Sequence, residues 1–246
     1  MTSTSLSLSG ETVLVTGASG NIGRGIALRL AEAGAEVILH CHCNESAASE
    51  LAAELGGAVV VLADLAEEAS VDAMFARCSP TMVVNNAAVQ SVQALGDMSY
   101  DEWRSMLGTN LDGVFLVTQR AAHAWAGKGG AIVNVASIEA LDPAVGHGHY
   151  ATSKAGMLML SRAAALEFGS AGIRVNTVSP GLIDREGLAR DWPDGVSRWH
   201  DRVPLGRLGT PKDVADAVLF LLSPAARWIS GTNLVVDGGM SAQSKW

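Results

Sequence analysis

Tyr150 and Lys154 stand four residues apart in "YATSK", a spacing that puts two side chains on one face of a helix. A free phenol has a pKa of about 10, too high for a base at neutral pH. An ammonium beside it favours the phenolate, and the pair can then pass a proton to or from an alcohol oxygen. Ser137 closes the apolar run "AIVNVAS" at 131–137. A hydroxyl at the end of a strand can point into the crevice at the carboxyl edge of a sheet, and there polarise a carbonyl. Each residue alone has a plainer reading: a half-buried helix Tyr, a solvated Lys, a loop-capping Ser. Their order behind a glycine-rich turn is what points to proton transfer.

That turn is "TGASGNIGRG", with Gly17, Gly20 and Gly23 between a first apolar run and a helical one. Backbone N–H groups and the positive end of a helix dipole meet there, and glycine lets a pyrophosphate approach closely. Ser19, Asn21 and Ile22 fall in the same loop. A second cluster, His40, Cys41, His42 and Cys43 in "VILHCHCNES", offers four metal-ligand types in a row. Strand neighbours point to opposite faces, so these four do not converge on one ion, and two ligands per face are too few for a structural zinc. No metal site is expected, and "HGHY" before the tyrosine lacks further ligands as well.

The elements that must position these residues alternate along the chain. Nearly all-apolar runs at 12–17, 35–41, 58–64, 81–86, 131–137, 173–179 and 232–239 read as strands buried on both faces. Helical periodicity fills 22–33, 45–55, 67–77, 99–126, 150–169 and 211–222. The pattern predicts an α/β fold, a doubly wound parallel sheet of about seven strands with helices on both faces. No linker or composition break divides it, so one domain over 1–246 is expected. Segment 184–209 departs from the rhythm, with five Arg and two Trp, and reads as a substrate-lid insertion.

Composition limits the partners. Net charge is −8, which argues against nucleic acid or an anionic membrane as the main partner. No run reaches the roughly 18 apolar residues of a membrane helix, and the start "MTSTSLSLSG" lacks the pattern of a secretory leader. Three cysteines do not make a disulfide framework. A cytoplasmic location is expected.

The glycine turn is similar to the T-G-x-x-x-G-x-G loop of the short-chain dehydrogenase/reductase family, with Asn21 at its middle glycine; Asn tolerates a positive φ better than most residues. "NNAA" (85–88), Asn110, Ser137, "YATSK", "SPG" (179–181) and "VDGG" (236–239) follow in that family's order, and the likeness spans about residues 10 to 240. It is nearest a 3-oxoacyl reductase-like or ketoreductase-like branch. The resemblance implies an NAD(P)-dependent oxidoreductase moving a hydride between the nicotinamide and a secondary alcohol or ketone. Tyr150 is then general acid or base, Lys154 lowers its pKa and holds the nicotinamide ribose, Ser137 holds the substrate oxygen, and Asn110 holds a relay water. Asp64, Leu65, Asn86 and Ala87 would lie along the adenosine side, and Pro180, Gly181 and Ile183 along the nicotinamide. Glu139, His147 and His149 fall where such enzymes line the substrate pocket. Arg185 stands where the family often has a Thr, and is either a substrate-anion contact or a solvated loop residue. Trp192 and Trp199 either face the substrate or pack a surface helix. The resemblance also implies a homotetramer built on 99–126, 150–169 and the last strand, with a small carbonyl or alcohol as the substrate.

Cofactor choice rests on the end of the second strand. An acidic residue there would bond the ribose hydroxyls of NAD, and the position falls near Cys41. Residues 40–44 hold no Asp or Glu and no Arg or Lys; His42 and Asn44 are the available donors. The strand end is similar to the L-H-x-H-R-S of the NADP-using pteridine reductases, without its Arg, and the balance leans to NADP(H) over NAD(H). A different class of reading is a catalytically silent nucleotide-binding regulator or scaffold on the same fold. The complete Ser137, Tyr150, Lys154 and Asn110 set argues against it.

Overall fold

The computed structural model describes residues 6–243; the first five residues of the start judged to lack a leader fall outside them. Seven strands form one parallel sheet in the order β3-β2-β1-β4-β5-β6-β7. In chain order they are β1 (Thr12–Val15), β2 (Glu36–Cys41), β3 (Val59–Leu62), β4 (Met82–Asn85), β5 (Gly130–Val135), β6 (Ile173–Pro180) and β7 (Asn233–Val236). The helices are α1 (Asn21–Glu32), α2 (Glu45–Glu54), α3 (Glu68–Arg77), α4 (Tyr100–Leu107), α5 (Gly113–Ala124), α6 (Gly148–Phe168), α7 (Leu188–Asp191), α8 (Pro193–Arg202) and α9 (Pro211–Leu222). The expected doubly wound sheet is present, and the apolar runs have the reason anticipated. Val13 and Val15 pack into one core with α1 and α9, while Leu14 between them packs into the other with α3 and α5. A strand buried on both faces has no place for polar alternation.

The strand order reverses between β1 and β4. Loops leaving those two strands part in opposite directions and open a crevice at the carboxyl edge. The glycine turn, the end of β4 and the ends of β5 and β6 surround it.

One expected helix is interrupted. The segment 99–126 is α4, a π-helical turn at Gly108–Asp112, and α5. Such a turn widens the helix by one residue and is frequent at functional positions. Here it carries Asn110, which is fully buried. Its side-chain carbonyl accepts from the Val89 N–H at 2.8 Å and its amide donates to the Val89 carbonyl at 2.9 Å. The chain leaving β4 is thereby pinned to the helix pair without a strand partner. The segment 184–209 contains α7 and α8, and Ile183 bridges Gly209 where the segment leaves and rejoins the sheet.

Candidate active site

At the glycine turn, Gly17 has φ +63°, and a Cβ there would lie 2.7 Å from the Ala87 backbone, so only glycine fits. Gly20 is the N-cap of α1, with φ −83° and no side-chain acceptor for the first-turn amides. The helix therefore presents uncapped N–H groups at Asn21, Ile22 and Gly23. Asn21 needs no left-handed backbone, because no described residue other than glycine has a positive φ; the shift of a glycine to position 20 leaves Asn21 as an ordinary first helical residue. Its side-chain amide donates to the Asp184 carbonyl at 2.8 Å, joining the turn to the start of the 184–209 segment. Asn86 donates to the Thr16 and Gly17 carbonyls, and the Thr16 hydroxyl accepts from the amides of Asn86 and Ala87. These bonds hold the ends of β1 and β4 at a fixed separation across the crevice.

Cys41 ends β2 fully buried, and no carboxylate takes its place. His42 lies beyond the strand, exposed, with Nε2 3.7 Å from the Asp64 carboxylate. Asn44 caps α2, its side-chain oxygen accepting from Ala47, so of the two donors expected at this corner one is already partly engaged. Asp64 lies two residues past β3, not at its close, and Leu65 is buried beneath α5. Among the described residues no group of three or more His, Cys, Asp and Glu side chains can hold a metal.

Across the crevice, Ser137 ends the loop after β5; its hydroxyl accepts from the Glu139 N–H at 3.1 Å and lies near enough to the Tyr150 phenol to act on its pKa. Lys154 is the largest of the fully buried side chains; its Nζ donates to the Val135 carbonyl at 2.8 Å and lies 5.6 Å from the Tyr150 ring centroid. The expected lowering of the Tyr150 pKa is not what the chain produces by itself. Burial pushes the phenol up to about 12, the Ser137 hydroxyl pulls it down, and the Glu139 carboxylate pushes it up further. Burial likewise brings Lys154 down to about 7, so the ammonium that was to stabilise the phenolate is itself weakened by the loss of water.

Glu139 and His147 meet beside the phenol. His147 Nδ1 donates to Glu139 Oε2 at 2.8 Å, and its ring lies edge-on to Tyr150 with centroids 6.2 Å apart. His149 points elsewhere: it is fully buried and bonds the Ser91 hydroxyl through Nε2 at 3.1 Å. Arg185 is held by Asp191 at 2.8 Å and by the Glu186 carbonyl, so it braces the 184–209 segment internally. Trp192 is about half exposed (48%) and folds back over Gly195, with the Arg198 guanidinium 5.9 Å from its ring. Trp199 instead lies against Gly181, where a Cβ would come within 2.7 Å of its ring. Of the two tryptophans, it is Trp199 that reaches the Pro180–Gly181 turn.

Two features escaped the sequence reading. His40 is buried against the glycine turn. Asn85, Asn134 and Ser161 form a buried ladder, Asn85 donating to Asn134 at 2.8 Å and Asn134 to Ser161 at 2.7 Å. Polar residues inside otherwise apolar strands were its signal, since a buried amide is retained where partners satisfy it.

The arrangement agrees with what the chain resembles. A family model described as Enoyl-(Acyl carrier protein) reductase matches residues 17–241. An L-rhamnose 1-dehydrogenase (NAD(P)(+)) of Azotobacter vinelandii is 39% identical, covering 94% of this chain and 96% of its own. A crystal structure of a short-chain type dehydrogenase/reductase from Mycobacterium marinum is 36% identical with a TM-score of 0.89, over 97% of this chain and 98% of that one. The chain belongs to the short-chain dehydrogenase/reductase family. A gluconate 5-dehydrogenase from Burkholderia cenocepacia, solved with NADP and tartrate, is 31% identical with a TM-score of 0.90, over 98% of each chain. This short-chain dehydrogenase/reductase is thus an NAD(P)-dependent oxidoreductase acting on alcohol and carbonyl groups. Its residues fit the dinucleotide: the amides at the start of α1 are uncapped, and Lys154, in the N-terminal half of α6, lies buried against the end of β5 with no carboxylate bonded to it.

Proposed function

We propose that Tyr150 is the general acid when this enzyme reduces a ketone and the general base when it oxidises a secondary alcohol. The observation that carries the reading is the Tyr150 phenol set between Ser137 and buried Lys154, in register with the uncapped α1 turn. The bound nicotinamide supplies or accepts the hydride. Ser137 orients the substrate oxygen toward the phenol, Tyr150 gives that oxygen its proton in reduction, and Lys154 holds the ribose and the phenol in place. Asn110 acts by fixing the chain at Val89 beneath the site. Segment 184–209 closes over the substrate, anchored by Asn21 on Asp184 and by Trp199 on Gly181.

NADP(H) is the preferred cofactor. No carboxylate stands at Cys41 to repel a 2′-phosphate, and His42 lies exposed at that corner. The substrate is a small hydroxylated carbonyl or alcohol, of the sugar or sugar-acid kind. The Glu139–His147 pair beside Tyr150 presents polar side chains with spare hydrogen-bonding capacity, which substrate hydroxyls can use and an acyl chain cannot. A turnover panel followed by nicotinamide absorbance tests both parts. Aldoses, aldonates and their keto forms should turn over with NADP(H) at a lower KM than with NAD(H). A preference for acyl thioesters, or for NAD(H), would overturn the corresponding part.

A further inference from the structure

His40 lies one residue before the end of β2 and is 1% exposed. Its ring bridges two loops. Nδ1 accepts from the Gly17 N–H at 3.1 Å, and Nε2 meets the Ala63 carbonyl at 3.1 Å. Its own backbone carbonyl accepts from the Ala18 N–H at 2.9 Å. Two consecutive amides of the glycine turn therefore end on one residue. The Gly17 carbonyl, on the other side of that glycine, is taken by Asn86 and by the Gly20 N–H. Both polar ends of Gly17 are thus tied, at the one turn residue whose φ is positive.

The consequence is a division among the amides of the turn. Those of Gly17, Ala18 and Gly20 are spent inside the protein, while those of the first turn of α1 stay uncapped. The direction in which the uncapped amides point depends on how Gly17 is held. We infer that His40 is a positioning residue for the NAD(P) pyrophosphate: it never touches the cofactor, but it sets the glycine turn that does. The inference rests on dinucleotide binding at this turn and not on the roles given to Tyr150 or to the substrate pocket.

The geometry admits one protonation state. A backbone N–H can only donate and a carbonyl can only accept, so Nδ1 must be bare and Nε2 must carry the hydrogen. The imidazolium would aim a second N–H at that of Gly17. Burial favours the neutral ring most strongly; the Ala63 carbonyl favours the charged one, His42 opposes it, and Asp64 favours it. His42 and Asp64 are the titratable groups acting on the ring, one from beyond its own strand and one from beyond β3.

Two substitutions separate the contacts. In His40→Asn the side-chain oxygen replaces Nδ1, keeping an acceptor for Gly17. In His40→Gln the amide reaches toward Ala63 and abandons Gly17. Cofactor binding is read directly, by titrating NADPH fluorescence against each protein, and kcat is read at saturating NADPH. The expected result is an NADPH Kd raised about tenfold in His40→Gln, the effect of one hydrogen bond, with kcat within about twofold. His40→Asn should bind within about threefold of the parent, inside the range one neutral hydrogen bond covers. Burial holds the His40 ring neutral to below its ordinary value, so the parent should lose affinity relative to His40→Asn only as pH falls below about 6, the lower side of the ordinary histidine range. Reading the ratio at each pH cancels the effects common to both proteins. Equal Kd values for the two variants, a loss of kcat instead of affinity, or a flat ratio with pH would each overturn the assignment.

Discussion

At the active site, loss of water governs the two titrating groups. Tyr150 is pushed to about 12 and Lys154 down to about 7, in both cases chiefly by burial. At neutral pH the phenol holds its proton, which suits the donor proposed for carbonyl reduction; with Tyr150 as the proposed base, alcohol oxidation requires the phenolate and should be favoured as pH rises. Glu139 adds to the upward push on Tyr150, because a carboxylate disfavours a second negative charge nearby. Glu139→Gln removes that charge, makes deprotonation easier, and should move the alkaline rise of alcohol oxidation to lower pH. A pH–rate profile unchanged by the substitution would contradict this. The grouping of Ser137, Tyr150 and Lys154 was legible in the sequence, since the three stand in order and meet in space. Their proton affinities were not, because spacing along a helix carries no information about burial. Arg185 was open between two readings for a similar reason: Asp191, six residues on, occupies it.

At the level of elements, the strands were legible because burial on both faces leaves unbroken apolar runs. The π-helical turn was not. "GTNLD" is compatible with plain helix, and the wider turn arises because Asn110 must reach the Val89 backbone. Asn110→Leu keeps the branched shape but strips the Val89 N–H and carbonyl of their partners. It should lower stability by about 1–3 kcal/mol, the cost of burying polar groups unpaired, measurable by urea denaturation. A loss below about 0.5 kcal/mol, that of an ordinary surface change, would show the turn to be held by something else. The end of β2 was half legible. The missing carboxylate was evident from the sequence, whereas the contact between His40 and Gly17 joins residues 23 apart and needs the β1–β2 register to be seen.

For the whole molecule, packing into the cores leaves large apolar side chains on the outer surfaces of α4, α5 and α6 uncovered. Tyr100 on α4, Phe115 on α5, and Met159 and Leu166 on α6 are all exposed, Leu166 at 84%. We propose that these surfaces are covered by copies of the same chain in a homotetramer, since exposed apolar surface of this kind marks interfaces. Met159→Glu combined with Leu166→Glu should reduce the particle to dimers or monomers by light scattering, with the melting temperature becoming less dependent on concentration. A parent protein that is monomeric at micromolar concentration would contradict the assembly. No described helix is long and apolar enough to cross a membrane.

The central claim, that Tyr150 carries the proton, is tested most directly by Tyr150→Phe, assayed for single-turnover hydride transfer and for NADPH binding on the same preparation. The substitution removes one oxygen from a side chain whose ring packing is otherwise kept. The transfer rate should fall at least about a hundredfold, the usual contribution of a positioned acid–base group, with the NADPH Kd within about threefold of the parent. Transfer at a rate near that of the parent would contradict the claim.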